Sequence, residues 1–342
     1  MDRLGVAGLG RLRLHGLQRR EACRGRIRSR ADLGRILAGC AGALEARAFP
    51  ASAWTGTELL VWGGWDLRGG FFDDGAAYDP VEGVWRSLPP APIEARVPLS
   101  AWTGQELIVW GTGFRTRDRP RDGAAYNPVT DTWRPIAEGP IELTDATPMW
   151  TGQEMVVFGA ALHGGNFPET ETATGTAYDP SADSWRQIPP SESVDPNANT
   201  AVWAGDRLIA VDWDTDAEAY EPEIDRWKPL APMPLDEGED VPAAAYTDGW
   251  MLTTFFGQIA AFSSDTERWV DLTKAAPDGF TPRDPIVAED VFLLFAVSPK
   301  DYEKAHYWRS GRPHESLVGN LRSHFVEPVS IARNDAWTLG AA

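Results

Sequence analysis

The chain has 342 residues, of which 43% are hydrophobic, and it carries a formal net charge of −18 at pH 7. This charge argues against nucleic-acid backbones and anionic membrane surfaces as partners, because both would repel an acidic protein. The longest run of apolar residues, Val291–Val297, is far shorter than the ~20 residues needed to cross a bilayer, so we predict no membrane span. The 16 Trp, 33 Gly and 27 Pro favour short strands joined by many turns.

The first 47 residues differ in composition from the rest of the chain. They hold 11 Arg, no Lys and 4 acidic residues, which gives a net charge of +7, and they contain both cysteines. Leu37–Cys40 has the form of a lipoprotein cleavage box and Arg19-Arg20 that of a twin-arginine signal, but charged residues interrupt the apolar stretch that a signal requires. We predict a basic segment outside the repeat over residues 1–47, either disordered or a mis-assigned start. The compartment stays open, with the cell envelope or secretion as options.

A repeat of 48 residues begins just after this segment. The tripeptides Trp54-Thr55-Gly56, Trp102-Thr103-Gly104 and Trp150-Thr151-Gly152 each stand between two apolar runs. Self-similarity at a period of this size is typical of propellers and solenoids. For the second copy, the apolar runs and turn residues predict four strands: Pro98–Trp102, Glu106–Gly111, Ala124–Tyr126 and Thr132–Ile136.

An aromatic residue and a tryptophan recur seven positions apart in the second half of each unit. The pairs are Tyr78/Trp85, Tyr126/Trp133, Tyr178/Trp185, Tyr220/Trp227 and Phe262/Trp269, and Tyr307/His314 continues the series. These pairs define six units of four strands. A seventh unit starts with predicted strands at Glu327–Ala332 and Ala336–Leu339. We interpret the repeated tryptophans as core residues that fill the space between neighbouring sheets.

These units resemble the kelch repeat, which implies a β-propeller over residues 48–342. The resemblance rests on the apolar hairpin, the Tyr-x-Pro turn and the late Trp of each unit. The double glycine of kelch repeats is intact at Gly63-Gly64 and decays in later copies. We therefore expect an all-β, kelch-type propeller with six recognisable blades and a half-formed seventh. Seven blades are favoured, and six blades with a free C-terminal hairpin are the alternative. We expect a monomer.

The loops between the second and third strands of the first three units, Gly64–Asp74, Thr112–Asp122 and Ala160–Thr174, are the candidate site. They are long and differ between copies, whereas the other turns are short and uniform, and variable loops on a rigid frame commonly bind ligands. The candidate binding residues are Trp65, Arg68, Phe71, Phe72, Phe114, Arg115, Arg117, His163 and Phe167, with Arg119, Arg121 and Asn166 beside them. Aromatic residues next to arginine are enriched at protein interfaces and also stack on sugars. The alternative is that the aromatic residues pack the loops down and the arginines provide solubility.

Catalytic and metal-binding motifs are sparse. Asp212, Asp214, Asp216, Glu218 and Glu223 have the spacing of a calcium-binding EF-hand loop, but Ala217 replaces its required glycine and strands flank it, so we interpret the stretch as a solvated turn. No phosphate-binding loop or nucleophile elbow is present, and His306, His314 and His324 lack metal-ligand spacing. We predict no cofactor and no metal. The favoured function is a non-catalytic binding protein for a protein or glycan ligand. The alternatives are a carbohydrate-active enzyme, mutarotase-like or lyase-like, with a central pocket, and a structural module.

Overall fold

The structure of the protein is a computed structural model. It describes residues 44–66, 68–112, 120–163, 170–196, 199–236, 241–255, 257–275, 282–288, 291–296, 304–305 and 329–330.

Five four-stranded antiparallel sheets form most of the described chain, each built from four consecutive strands in sequence order. The first sheet comprises β1 Ala51–Trp54, β2 Leu59–Trp62, β3 Gly75–Asp79 and β4 Val84–Ser87. The second comprises β5 Leu99–Trp102, β6 Leu107–Trp110, β7 Gly123–Asn127 and β8 Thr132–Ile136. The third comprises β9 Leu143–Trp150, β10 Met155–His163, β11 Thr170–Asp179 and β12 Ser184–Ile188.

The later units follow the same plan. The fourth sheet comprises β13 Asn199–Trp203, β14 Leu208–Asp212, β15 Ala217–Glu221 and β16 Arg226–Pro229. The fifth comprises β17 Ala243–Thr247, β18 Trp250–Phe255, β19 Gln258–Ser263 and β20 Arg268–Asp271, followed by a 3₁₀ turn at Thr273–Ala275. Two strand pairs complete the described chain: β21 Pro282–Ala288 with β22 Val291–Ala296, and β23 Lys304–Ala305 with β24 Val329–Ser330.

The sheets meet one another through their first strands. β1 contacts β5, β5 contacts β9, β9 contacts β13, β13 contacts β17 and β17 contacts β21. Consecutive four-stranded sheets that contact one another through their first strands form a propeller-like all-β architecture. The all-β prediction is confirmed, whereas the number of blades and the closure of a ring stay predictions. None of the helices in the described part of the chain is long and apolar enough to cross a membrane.

The seven-residue aromatic spacing is the length of the hairpin between the third and fourth strands. Tyr126 lies directly opposite Trp133 across β7 and β8, and their ring centroids are 5.1 Å apart. The other four pairs have centroid distances of 4.9–5.6 Å. Five positions after the first aromatic residue, each of these turns has a residue with positive φ, namely Gly83, Asp131, Asp183, Asp225 and Glu267. Gly and Asp tolerate that left-handed conformation better than other residues do, so the turn chemistry agrees with the register.

The fourth-strand tryptophans fill the space between neighbouring sheets, as predicted. Trp185 of the third sheet packs against Trp110 of the second, with ring centroids 4.8 Å apart. Its indole N–H donates to the carbonyl of Ala137, in the segment that joins the two sheets, at 2.7 Å. The equivalent bonds run from Trp133 to Pro89, from Trp227 to Pro189 and from Trp269 to Ala231. In the second to fifth sheets, the indole thus links the sheet to the connection that precedes it.

The tryptophans of the first strands agree with the prediction of core residues in three sheets but not in the first. Trp102, Trp150 and Trp203 are half-buried and pack against the core of the preceding sheet. Trp54 is 52% exposed, because the described residues place no sheet against the corresponding side of the first sheet. The interpretation of every repeated tryptophan as core is therefore wrong for Trp54.

The described residues contain part of one strand of the predicted seventh unit. Val329–Ser330, inside the predicted strand Glu327–Ala332, pairs with Lys304–Ala305. Its expected partner, Ala336–Leu339, lies outside the described residues, as do Tyr307 and His314. The N-terminal segment is described only from residue 44, so the boundary at residue 47 stays a prediction.

Candidate functional site

The loop between β2 and β3 forms a small hairpin of its own. Trp65 pairs with Phe71 as an antiparallel bridge and on its other side with Ala48. The Asp66 carboxylate accepts hydrogen bonds from the backbone N–H groups of Arg68 and Gly70, at 2.7 and 2.9 Å, and these bonds lower the pKa of Asp66. The described candidate residues of this loop are therefore held in one backbone arrangement, which we call the first-loop hairpin (residues 65–66 and 68–71).

The first-loop hairpin presents some of its predicted binding residues and holds the others down. Phe71 is 40% exposed and Arg68 is exposed, whereas Trp65 is half-buried. Phe72 lies under the Arg47 guanidinium, 4.0 Å from the ring centroid, in a cation–π contact. Phe71 and Arg68 can therefore meet a partner, while Phe72 serves to pack the base of the loop.

Two buried arginines anchor the bases of the first two loops. The Arg47 side chain is 4% exposed and bonds the Asp74 carboxylate at 2.9 Å, just before β3. Arg96 holds Asp122, just before β7, through two nitrogens at 2.7 and 3.2 Å. Both arginines stand shortly before the first strand of their sheet. Each arginine thus connects the segment before the first strand to the end of the variable loop, which gives the loop a rigid base.

The predicted residues of the second and third loops are described only in part. Phe114, Arg115, Arg117, Arg119, Asn166 and Phe167 lie outside the described residues. Arg121 donates to the Glu138 carboxylate at 2.6 Å, so it is an ion-pair partner within the fold. His163 ends β10, where its backbone pairs with Thr170. With 9 and 10 residues, β10 and β11 are longer than their counterparts β6 and β7, which have 4 and 5. Whether the three loops form one surface stays a prediction.

The acidic stretch of the fourth sheet forms a turn, but the interpretation of this turn as solvated is wrong for Asp212 and Glu218, because both are buried. Asp212 is 1% exposed, and its two oxygens accept the N–H groups of Asp195 and Asp216 at 2.8 and 2.9 Å. Burial raises the pKa of Asp212 to about 6. Glu218 accepts a hydrogen bond from the Ser191 hydroxyl. Among the described residues, no group of three or more His, Cys, Asp or Glu could hold a metal ion.

A set of polar residues between the sheets was not singled out by the sequence analysis. Arg134 of β8 holds both oxygens of Glu106 at 3.2 and 2.8 Å and donates to the Tyr178 hydroxyl of the third sheet at 3.3 Å. Tyr178 in turn donates to Asp183 at 2.6 Å, and burial raises its pKa to about 12. The same arrangement joins the first sheet to the second through Glu58, Arg86, Tyr126 and Asp131, and the third to the fourth through Glu154, Arg186, Tyr220 and Asp225. We call these sets inter-sheet clasps.

A shallow groove of about 430 Å³ lies between the second and third sheets, on the face opposite the variable loops. Three tight turns line it, and their lining residues are Thr103, Gln105, Glu106, Trp150, Gly152, Gln153, Asp179, Pro180 and Ser181. The order of the strands determines on which face of the sheets the groove lies. In an antiparallel sheet, the turns between strands one and two and between strands three and four lie at one end, and the loops between strands two and three lie at the other.

No protein-family model matches the chain, and no curated protein matches it. The kelch resemblance therefore rests on the repeated residues themselves.

Proposed function

We propose that the protein is a non-catalytic binding protein, a kelch-type propeller that holds a protein or glycan partner on its variable-loop face. The observation that carries this proposal is the first-loop hairpin. It is fixed by backbone bonds to Ala48 and by the Asp66 cap, yet it leaves Phe71 and Arg68 exposed. Aromatic residues and arginine contribute most to binding at protein interfaces. A loop already held in one conformation loses less entropy on binding than a flexible one.

The charges of this face also support the proposal. Arg47, Arg96 and Arg121 are engaged with Asp74, Asp122 and Glu138. Arg68 is exposed and forms no salt bridge with the described residues, although its charge acts on the neighbouring Asp66, so its guanidinium can meet a carboxylate or a hydroxyl of a partner. An exposed cation in the same loop as an exposed aromatic residue suits polar partners of either class.

The carbohydrate-active enzyme alternative requires a pocket that contains carboxylates with shifted pKa. Asp212 has a raised pKa, but both of its oxygens accept backbone N–H groups and its side chain is buried. It therefore caps a turn and does not face a substrate. The described groove lies on the other face, so we retain the binding proposal.

Site-specific photo-cross-linking of the full chain tests this proposal. A photoreactive phenylalanine analogue would replace Phe71 in one variant and Val129, which is 91% exposed on the opposite face, in another. Each variant would be irradiated in extracts of the cells that make the protein, and a glycan array would be probed in parallel. The proposal predicts a discrete protein adduct from position 71 that is absent from position 129, or a glycan signal that Phe71→Ser removes and Val129→Ser keeps. Equal products from both positions together with an unaffected or absent glycan signal would contradict it.

A further inference from the structure

The groove between the second and third sheets has the chemistry of a second binding site, on the face opposite the variable loops. Its volume of about 430 Å³ lies within the range of ordinary small-ligand sites. One wall is Trp150, which is half-buried and offers an aromatic surface at the end of β9. Gly152 beside it has a φ of 98°, and a Cβ there would meet nothing within 4 Å. The groove is therefore open next to the indole.

The polar groups around Trp150 have unused hydrogen-bonding capacity. Gln105 and Gln153 are exposed, and within the described ranges only their backbone N–H groups take part in hydrogen bonds. Each side-chain amide can donate two hydrogen bonds and accept two. The Asp179 carboxylate uses one oxygen, Oδ1, to accept the N–H and hydroxyl of Ser181, and its pKa is lowered by these bonds. Its other oxygen points to no donor among the residues that the structure describes.

The charges of the groove determine which ligand it can accept. Glu106 lines it, but both of its oxygens are bound by Arg134 of the clasp. The lining residues include two carboxylates and no lysine or arginine. Arg134 neutralises Glu106, which leaves Asp179 as the lining carboxylate without a paired cation among the described residues, and an anionic ligand would meet repulsion from it. A neutral ligand with an apolar face for the indole and several hydroxyl groups for the amides fits this surface.

We infer that this groove binds a neutral carbohydrate, with Trp150 as the stacking surface and Gln105, Gln153 and Asp179 as hydrogen-bonding partners. Hydroxyl groups of a sugar both donate and accept, so they match amides and a carboxylate at once. The apolar face of a sugar ring matches a partly exposed indole, which combines apolar area with restricted motion.

The neighbouring sheets show that this combination is local. Between the first and second sheets, Thr57 stands in the place of Gln105, and Val129 in the place of Ser181. Between the third and fourth sheets, Asp206 stands in the place of Gln153 and forms an ion pair with Arg207 at 3.1 Å. Among these three sheet junctions, both amides and the hydroxyl therefore occur together only between the second and third sheets. The scaffold repeats, whereas the ligand-facing residues do not.

Calorimetric titration of the full chain with named oligosaccharides tests the inference. The probes are cellohexaose, laminarihexaose, maltohexaose and mannohexaose, with hexagalacturonate as the anionic counterpart. We expect at least one neutral hexasaccharide to bind. We expect the double variant Gln105→Ala/Gln153→Ala to weaken that binding at least about tenfold, because several hydrogen bonds are lost. Both glutamines are exposed, so this variant keeps the fold. Trp150→Ala is a second variant, to be read together with its melting temperature.

Two controls separate this site from the loop-face proposal. Thr57→Ala, at the matching position of the first sheet, and Phe71→Ser, on the first-loop hairpin, are expected to leave the hexasaccharide affinity unchanged. The inference is overturned if no neutral probe binds at about 10 mM, which is weaker than ordinary recognition. It is also overturned if the double glutamine variant binds as tightly as the parent, or if hexagalacturonate binds better. Loss of binding in Phe71→Ser alone would assign the sugar to the loop face, and would support the proposed function while refuting this inference.

Discussion

Truncation of Trp185 to alanine tests how the sheets are held together. The Trp185 ring lies between Tyr178 of its own sheet, at 4.9 Å, and Trp110 of the preceding sheet, at 4.8 Å. Its indole N–H also satisfies the carbonyl of Ala137 at 2.7 Å. Trp185→Ala therefore removes two aromatic contacts and one hydrogen bond, and leaves a cavity between the sheets.

The expected loss of stability follows from these contacts. Removal of a tryptophan from a core destabilises proteins by about 3–5 kcal/mol. Trp185 is half-buried, which reduces this value, whereas the unpaired carbonyl of Ala137 adds about 1 kcal/mol. We expect Trp185→Ala to lower the free energy of unfolding by about 3 kcal/mol. Trp54→Ala is the matched control, and we expect it to change stability by less than about 1 kcal/mol because that side chain is 52% exposed.

Equilibrium denaturation in urea, followed by circular dichroism, measures both variants. A double-mutant cycle with Trp110→Ala then isolates the contact across the interface, for which aromatic pairs typically give about 0.5–1.5 kcal/mol. If Trp54→Ala destabilised the protein as much as Trp185→Ala, or if the cycle gave no coupling, the account of the sheet interface would be refuted.

Three further predictions concern the clasp, a buried carboxylate and a glycine. Arg134→Met should lower the free energy of unfolding by about 1–2 kcal/mol in urea titrations, because Glu106 loses its partner in a site that solvent screens only in part. In 0.5 M NaCl, the difference in unfolding free energy between this variant and the wild type should become smaller. Burial raises the pKa of Asp212 from 3.8 to about 6, so folding favours its protonated form. As the pH rises from about 4 to 7, the free energy of unfolding of the wild type should therefore fall by up to about 3 kcal/mol relative to that of Asp212→Asn. The opposite pH trend in urea titrations would contradict that burial effect. Gly123→Ala should lower the melting temperature, because its Cβ would lie 2.6 Å from the Val109 carbonyl oxygen. Gly104→Ala has no atom within 4 Å of its Cβ, but its φ of 90° strains an alanine, so this variant measures backbone strain without a clash.

The sequence was sufficient to predict the strands, because their signals are local. The seven-residue spacing of Tyr126 and Trp133 reflects one hairpin, and the predicted strand Thr132–Ile136 matches β8. Predicted Pro98–Trp102 is one residue longer than β5, which begins at Leu99. Proline lacks the N–H group that strand pairing uses, which explains why the strand begins one residue after Pro98.

The contacts between sheets could not be predicted in the same way. Glu106 and Arg134 are 28 residues apart, and Arg134 and Tyr178 are 44 apart, so only the packed fold brings them together. A signal was nonetheless present, since an arginine directly follows the late tryptophan in three successive units and a glutamate follows each Thr-Gly turn. Arg121 was placed beside the candidate binding residues, and its ion pair with Glu138 could not be predicted, because a loop sequence does not show which neighbour is close enough to bind it.

The groove on the turn face was missed for a different reason. The turns that line it have uniform lengths, and uniform length was interpreted as scaffold. Gln105, Gln153 and Ser181 vary between units while the turn lengths do not. Differences in residue type between turns of equal length, as well as differences in loop length, therefore carry information about binding.

The most direct test of the proposed binding function is the affinity of the partner identified by cross-linking, measured with wild type, Phe71→Ser and Val129→Ser. The account predicts that Phe71→Ser weakens binding at least about tenfold, because an exposed aromatic anchor is lost, whereas Val129→Ser binds as wild type does. Equal affinities for all three proteins would show that the first-loop hairpin is not the binding surface.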